Sequence, residues 1–460
     1  MQELSIMQIA DIVGGRIVSG QPGAGEAFKG GYAFDSRLLK PGDLFFALKG
    51  EDRDGREFVA SAQAGGAAAA VVSEKVDGVA ADFIQIAVDS PLDALQRLAV
   101  KARESIGAPV VAISGSNGKT TTKEMLANIL SGTMNVFKSP GNFNNHIGVP
   151  LTILGAPRDS EVLVMELGSN HRGEIARLTQ IARPHIGVLT NVGRAHIGFF
   201  GSVEEIANEK SDVLRNLEPG GTGVVNADDC VLGGALADID AGLVTFAVER
   251  QAQFRATGLK PLDGGGHAFT VAGQEVKIRI PGLHNVYNAL AAIAAASLFE
   301  VDVRSSAEAL ESFEPVRVKT ISTSSITIMD DSYNANPDSV RAAADILSGT
   351  PASRRIFILG EMLELGGESE RLHGEVGRML AASGADILIG IGGRTRCAVE
   401  AAVSAGMDAG SALFFETKAD AKTHISDLVM EGDVVLIKGS RLAGLEEICE
   451  FLRSTAEGRA

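Results

Sequence analysis

Cysteine is scarce. The three present, Cys230, Cys397 and Cys449, are widely spaced, which excludes a disulfide framework and any paired-thiol metal motif. Positive charge is short as well: 42 Lys and Arg stand against 58 Asp and Glu, a net charge of −16. Such a balance excludes non-specific affinity for nucleic acid or anionic membrane, although a local basic cleft could still take an anionic substrate. No apolar run is long enough for a bilayer: "ALAAIAAASLF" at 289–299 is the longest, and a span needs about 20 residues. The N-terminus, "MQELSIMQIADIVGG", lacks a basic n-region and carries Glu3 and Asp11, so it does not read as a signal peptide. Internal repeats and low-complexity segments are missing too. What is there is an ordinary globular balance, 45% hydrophobic and 22% charged, expected of a soluble cytoplasmic protein with no membrane insertion. At roughly 150 residues per domain, 460 residues predict about three domains.

Short β-rich runs alternate with helical stretches, which predicts an α/β fold. Three blocks stand out. Residues 1–88 hold "DLFFAL", "AAAAVV" and "FIQIAV". Residues 89–313 open with the helix "PLDALQRLAVKARESI", carry the strands "PVVAIS", "EVLVMEL", "IGVLTNV" and "TGVVNA", and close with the helix "NVYNALAAIAAASLFE". Residues 314–460 hold "SITIMDD", "RRIFILGE", "ADILIGIG" and "DVVLIKGS". Near-continuous apolar strands suit parallel sheets covered on both faces.

The stretch "AISGSNGKTTTKEM" links a buried strand to a helix through a glycine turn. Its first glycine is Gly115, with Ile113 closing the strand, so the turn is the shorter G-x-x-G-K-T. Unpaired N–H groups and the helix dipole favour phosphate there. Lys119 would reach terminal phosphates and the Thr120 hydroxyl a Mg²⁺ ion. Glu166 ends another strand, where open α/β sheets place ligands; it is either a metal-binding carboxylate or a surface glutamate. Asn191 ends a third strand, and His196 follows it.

In "SVEEIANEKSDVLRNL", Ser202 and Glu205 form a capping-box pattern. Val203, Ile206, Ala207, Val213, Leu214 and Leu217 make an apolar stripe with Lys210 in its gap, while Asn208, Glu209, Ser211, Asp212 and Arg215 form the polar side. Lys210 therefore faces inward. Either its stem lies on apolar surface with its head in water, or it faces a site. Asn285 and Asn288 lie one turn apart at a helix start, suited to an adenine edge. Asp331 ends a strand before an Asn-rich turn and could accept from ribose hydroxyls. Each is equally a cap or turn former.

Taken in order, "GSNGKTTTKEM", "GNFNNHIGVPLTIL", "MELGSN", "TNVGRAH", "IANEKSDV", "HNVYNALAA" and "DDSYNANPDS" resemble the Mur ligases of peptidoglycan precursor synthesis nearly end to end. "YNANP" with "GEMLELG" resembles the member that adds D-Ala-D-Ala. The resemblance implies an N-terminal UDP-binding domain, a central P-loop ATPase-like domain with a mostly parallel sheet, and a C-terminal Rossmann-like ligase domain. It implies an ADP-forming ligation: ATP phosphorylates the terminal carboxylate of UDP-MurNAc-tripeptide, and the amine of D-Ala-D-Ala displaces the phosphate.

It also implies residue roles. Gly115, Ser116, Asn117, Gly118, Lys119, Thr120, Thr121, Asn285, Asn288, Arg317 and Asp331 would hold ATP. Thr120 and Glu166 would bind one Mg²⁺, and His196 a second, with Lys210 carbamylated by CO₂ as an anionic metal ligand. Lys119, Lys210 and His196 would be catalytic. Ser36, Arg37, Asn142, Asn144 and Asn145 would hold the UDP-substrate, and Tyr333, Asn334 and Asn336 the dipeptide, with Lys438 and Arg441 as weaker carboxylate-binding candidates. A monomer is expected. The chain departs from the family at Arg56, where histidine is common, and at "PVRVKT", where Arg317 only approximates a G-R pair. Competing readings are a ligase adding diaminopimelate, lysine or glutamate, or a P-loop switch that hydrolyses ATP without ligation.

Overall fold

Alternate residues along the central strands point to opposite faces, and both faces find apolar partners. In the strand Val110–Ser114, Val110 and Ala112 join one core while Val111 and Ile113 join another. Val162–Glu166 divides likewise, with Leu163 and Met165 on one side and Val162 and Val164 on the other. The computed structural model describes residues 4–458 except positions 24, 26, 264, 315–318 and 324. Arg317, assigned above to the nucleotide, lies outside the described residues.

Seven parallel strands form the central sheet, in the order Phe254–Arg255, Gly242–Ala247, Thr222–Asn226, Ile186–Leu189, Val110–Ser114, Val162–Glu166 and Val136–Lys138. Helices Pro91–Glu104, Glu174–Ala182 and Val203–Arg215 cover one face. Lys119–Leu130 packs with Leu283–Ser297 on the other, through Met125, Leu126, Ile129 and Leu130. Each such fully buried side chain contributes about 1.5–3 kcal/mol.

The first sheet runs Arg16–Ser19, Ile84–Ala87, Ala69–Val72, Leu44–Phe46, Tyr32–Ala33, parallel except for its antiparallel edge Arg16–Ser19. Pro91–Glu104 starts with Pro91 in its first turn and Ser90 accepting the Asp93 N–H, a preferred N-terminal arrangement. Its Leu95 and Leu98 lie in one core with Phe46 and Val71 of the first sheet and Leu163 of the central sheet. The helix is thus packed against both sheets.

The last sheet runs Lys319–Ser322, Thr327–Asp331, Asp433–Lys438, Arg354–Gly360, Ile387–Ile391, Ala412–Phe415, again parallel except at the edge Lys319–Ser322. Ile356 and Ile358 face one helical layer, Phe357 and Leu359 the other.

Two features depart from the sequence reading. A three-stranded antiparallel sheet, Thr257–Pro261, His267–Val271 and Gln274–Ile278, precedes the helix Leu283–Ser297. Phe269, Val271, Val276 and Ile278 enter the second central core, while Thr257–Pro261 is exposed throughout. The capping box is half formed. Ser202 Oγ accepts the Glu205 N–H at 3.2 Å, but the Glu205 carboxylate lies 3.6 Å from Arg172 instead. Among the described residues no helix is long and apolar enough to cross a membrane.

Candidate active site

Three neighbouring parallel strands, ending at Leu189, Ser114 and Glu166, release their loops on one edge of the central sheet. The middle loop is the glycine turn. Gly115 has φ +139°, and a Cβ there would meet Thr190 Oγ1 at 2.1 Å; Gly118 has φ +82°, with Asn288 Oδ1 2.2 Å from its would-be Cβ. Only glycine fits either position. The loop is held by its neighbour: Ser116 N–H donates to the Asn191 carbonyl at 2.8 Å, Asn117 N–H to Asn191 Oδ1 at 3.0 Å, and Thr190 Oγ1 to the Asn117 carbonyl at 2.7 Å. The helix Lys119–Leu130 follows with no side chain capping its N-terminus, so its first N–H groups suit an anion. Lys119 Nζ donates to the Gly115 and Ser116 carbonyls, at 2.7 and 3.2 Å.

Glu166 is no surface residue; it is 1% exposed. Thr120 Oγ1 donates to its Oε2 and Asn144 Nδ2 to its Oε1, both at 2.8 Å. Among the described residues no group of three or more His, Cys, Asp or Glu side chains is gathered for a metal. The hard-oxygen pair Thr120–Glu166 at the phosphate loop still fits Mg²⁺, which takes one or two carboxylates and completes its shell with phosphates and water.

Lys210 is 1% exposed, which removes the reading in which its head reaches water. Nζ donates to the Ser169 carbonyl at 2.8 Å and to Ser169 Oγ at 2.7 Å. Burial, reinforced by Lys119, pushes its pKa down to about 7. On the same helix, the polar side is not all solvent. Ser211 and Glu209 are buried. Glu209 accepts the Gly173 and Ile175 N–H groups, at 2.6 and 2.8 Å, and so caps the helix Glu174–Ala182. A carboxylate gains there from the helix dipole, which is why a residue read as solvent-facing turns inward.

His196 has φ +60°, a left-handed backbone that costs a residue with a Cβ about 1–3 kcal/mol. Its Nδ1 lies 2.5 Å from Glu364 Oε2, a carboxylate of the last unit. Hydrogen bonding to His196 holds Glu364 below the ordinary glutamate range despite burial. Arg194 beside it donates to Asp338 Oδ1 at 3.0 Å and Glu375 Oε1 at 2.7 Å, both again from the last unit.

Between the central and last units lies a cavity of about 770 Å³, lined by the 116–121 loop, Asn144, Asn145, Glu166, His196, Asn285, Asn288, Asp331, Tyr333, Asn334, Asn336 and Lys438. Asn285 Nδ2 donates to the Pro281 carbonyl at 2.7 Å and Asn288 Nδ2 to Asn285 Oδ1 at 3.0 Å, which leaves each amide one N–H for a ligand. Asp331 and Lys438 end adjacent strands, and Lys438 Nζ donates to Asp331 Oδ2 at 2.6 Å and to the Asn334 carbonyl at 3.0 Å. Lys438 therefore orders the turn rather than standing free for a carboxylate. Asn336 caps the helix Pro337–Gly349 through the Ser339 N–H and donates to Asn117 Oδ1 at 2.9 Å, so its amide bridges the two units. Asn145 Oδ1 accepts the Ile147 and Gly148 N–H groups.

Other candidates stay apart. Ser36, Arg37 and Asn142 do not line this cavity. Arg37 is bound to Asp35 at 2.6 Å. Arg56 is paired with Asp54 and Glu74. Arg441 stacks its guanidinium on the Tyr333 ring at 5.1 Å. Four residues at the site were missed from sequence. Ser169 and Glu364 stand in quoted motifs but carry no signal of their partners. Arg194 pairs across 144 residues. His284 lines the cavity and is exposed to it; its place beside Asn285 was the available signal.

The chain matches the Mur ligase middle domain over residues 113–296, the Mur ligase glutamate ligase domain over 316–441, and the Mur ligase family catalytic domain over 31–103. It is 33% identical to the UDP-N-acetylmuramoyl-tripeptide–D-alanyl-D-alanine ligase of Bacillus subtilis, over 98% of this chain and 99% of that protein. The crystal structure of MurF from Acinetobacter baumannii superposes with a TM-score of 0.89 at 31% identity, covering 98% of each chain. That of MurF from Thermotoga maritima in complex with ADP gives 0.81 at 27% identity, covering 94% of this chain and 99% of that one. A phosphate loop and an asparagine-rich turn meeting at one cavity, in a chain alike over nearly its whole length, leave one assignment: the protein belongs to the Mur ligase family.

Proposed function

We propose that this protein is an ATP-dependent, ADP-forming ligase that joins D-Ala-D-Ala to UDP-MurNAc-tripeptide through an acyl phosphate, in peptidoglycan precursor synthesis. The observation that carries the reading is the single cavity in which the phosphate loop faces the Tyr333–Asn336 turn. A hydrolytic switch needs no such second wall. In this reading residues 1–88 take the UDP moiety, with Ser36 and Arg37, residues 89–313 the ATP, and residues 314–460 the incoming dipeptide, with Tyr333, Asn334 and Asn336. The units close on their ligands, since Ser36 and Arg37 stand outside the cavity.

Catalysis here is positioning and charge neutralisation. Lys119 swings from its loop carbonyls to the phosphoryl group. The 116–121 N–H groups hold the other phosphates, and Asn285, Asn288 and Asp331 the adenosine. Thr120 and Glu166 would hold a Mg²⁺ ion, and His196 would stand at a second, and the metal would supply charge neutralisation on the phosphates. A pKa of about 7 leaves the Lys210 amine partly neutral, and a neutral amine can add to CO₂, losing one proton to give a carbamate anion. Such an anion would be a metal ligand where the free ammonium would not. The protein acts as a cytoplasmic monomer, and its product serves cell-wall growth and division.

The test is an amine-acceptor panel with UDP-MurNAc-tripeptide and ATP, read by mass spectrometry. The expected result is one dipeptide added per ADP released, with D-Ala-D-Ala preferred over diaminopimelate, lysine or glutamate. ADP release independent of UDP-tripeptide would sink the proposal.

A further inference from the structure

A second lysine of the central unit has no role in the reading above. Lys123 lies one helical turn beyond Lys119 and is wholly buried, 0% exposed. A buried ammonium is tolerated only when its N–H groups and charge are matched. Here Nζ donates to the Ser139 carbonyl at 2.8 Å and to the Gly141 carbonyl at 3.1 Å. It also lies 3.2 Å from Glu124 Oε1 and 3.7 Å from Glu166 Oε2.

Those partners belong to two different parts of the site. Glu166 faces Thr120 at the phosphate loop. Ser139–Gly141 opens the segment that brings Asn144 and Asn145 to the cavity. Further bonds close the circuit. Ser139 Oγ accepts the Glu166 N–H at 3.1 Å, Asn144 Nδ2 donates to Glu166 Oε1 at 2.8 Å, and Gly168 N–H donates to the Asn144 carbonyl at 2.8 Å. A filler of this space would not need a charge, because an apolar side chain of the same volume avoids the desolvation cost.

We infer that Lys123 is a positioning residue. It aims the Glu166 carboxylate at Thr120, and with the same ammonium it pins the Ser139–Gly141 turn, coupling the nucleotide side of the cavity to the asparagine side. The inference rests on the ligase reading of this cavity, so its test begins with a measurement that needs no ligand.

Hydrogen exchange of the ligand-free protein should show Lys123→Met accelerating the amides of 139–145 and Glu166 about tenfold, with the strand Ile186–Leu189 unchanged. In the ligation assay the same variant should raise the Mg²⁺ half-saturation about 10–100-fold, the usual cost of losing a group that orients a metal-binding side chain. The KM for D-Ala-D-Ala should stay within about twofold. Lys123→Gln keeps two N–H donors without the charge. It should recover protection at 139–145 but not the Mg²⁺ half-saturation, and it serves where the methionine variant fails to fold. Asn144→Ala should add little on top of Lys123→Met, since both act on one carboxylate. Exchange accelerated evenly over the chain, or an unchanged Mg²⁺ dependence in a folded variant, would overturn the inference. A wild-type protein that ligates nothing defeats the ligase reading separately, and the exchange result still decides whether Lys123 pins the turn.

Discussion

Lys210 and Lys123 are both shut inside the central unit, yet their surroundings differ in kind. Lys123 has two carbonyls and two carboxylates against it. Lys210 has the carbonyl and hydroxyl of Ser169 and, 5.7 Å away, the Phe200 ring. Glu209 and Glu174 attract it from farther off, and Lys119 opposes it. The first is a satisfied charge that ties segments together. The second is an amine held beside a phosphate loop without a close counter-charge, and burial pushes it towards neutrality. Burial alone does not mark chemistry; burial with an unmet charge does.

The contrast breaks most visibly under substitution. Lys210→Ala should lower kcat by about a hundredfold or more, as for removal of one preorganised electrostatic group, with partial rescue by small carboxylates such as formate. Full activity in that variant would refute the assignment. Glu166→Ala and His196→Ala should each raise the Mg²⁺ requirement by about tenfold or more, and superimposable metal titrations would count against ligation.

A pH series sharpens the comparison through stability. The folded pKa of Lys210, about 7, lies below the ordinary lysine value of 10.5. Between the two, the unfolded chain keeps a proton that the folded chain has released, so stability rises with pH. Relative to Lys210→Met, the wild type should gain about 1.4 kcal/mol per pH unit above pH 7, read from urea midpoints between pH 6 and 9. Parallel curves would show that the amine is not displaced from its ordinary range.

The smallest effect belongs to Arg194. Its side chain is 22% exposed, and it pairs with Asp338 and Glu375, so Arg194→Ala should loosen the contact between central and last units by about 1 kcal/mol. Solution scattering with and without nucleotide plus UDP-tripeptide should show a more open ligand-free variant. Profiles identical to wild type in both states would remove this pair from any account of closure.

What the sequence disclosed follows from how local the physics was. "PVVAIS", "EVLVMEL" and "DVVLIKGS" read as buried parallel strands because their apolar runs serve two faces at once. The glycine turn read as a phosphate site because strand, glycines and lysine are contiguous. The inward turn of Lys210 was legible from the stripe on its own helix. Lys123 was not, since "TTTKEM" looks like a polar first turn, and the Ser139–Gly141 carbonyls that bury it come from a different segment. Glu209 was misjudged for the same reason: the helix end it caps is remote in sequence. The partners of His196 and Arg194 lie in another unit and leave no local mark. The antiparallel sheet Thr257–Ile278 escaped because its first strand carries no buried face.

The distinction between the two lysines can be measured directly. Protein equilibrated with ¹³C-bicarbonate and examined by ¹³C NMR should show one carbamate resonance. It should persist in Lys123→Met and vanish in Lys210→Ala. A signal that survives Lys210→Ala, or that disappears only with Lys123, would contradict the account.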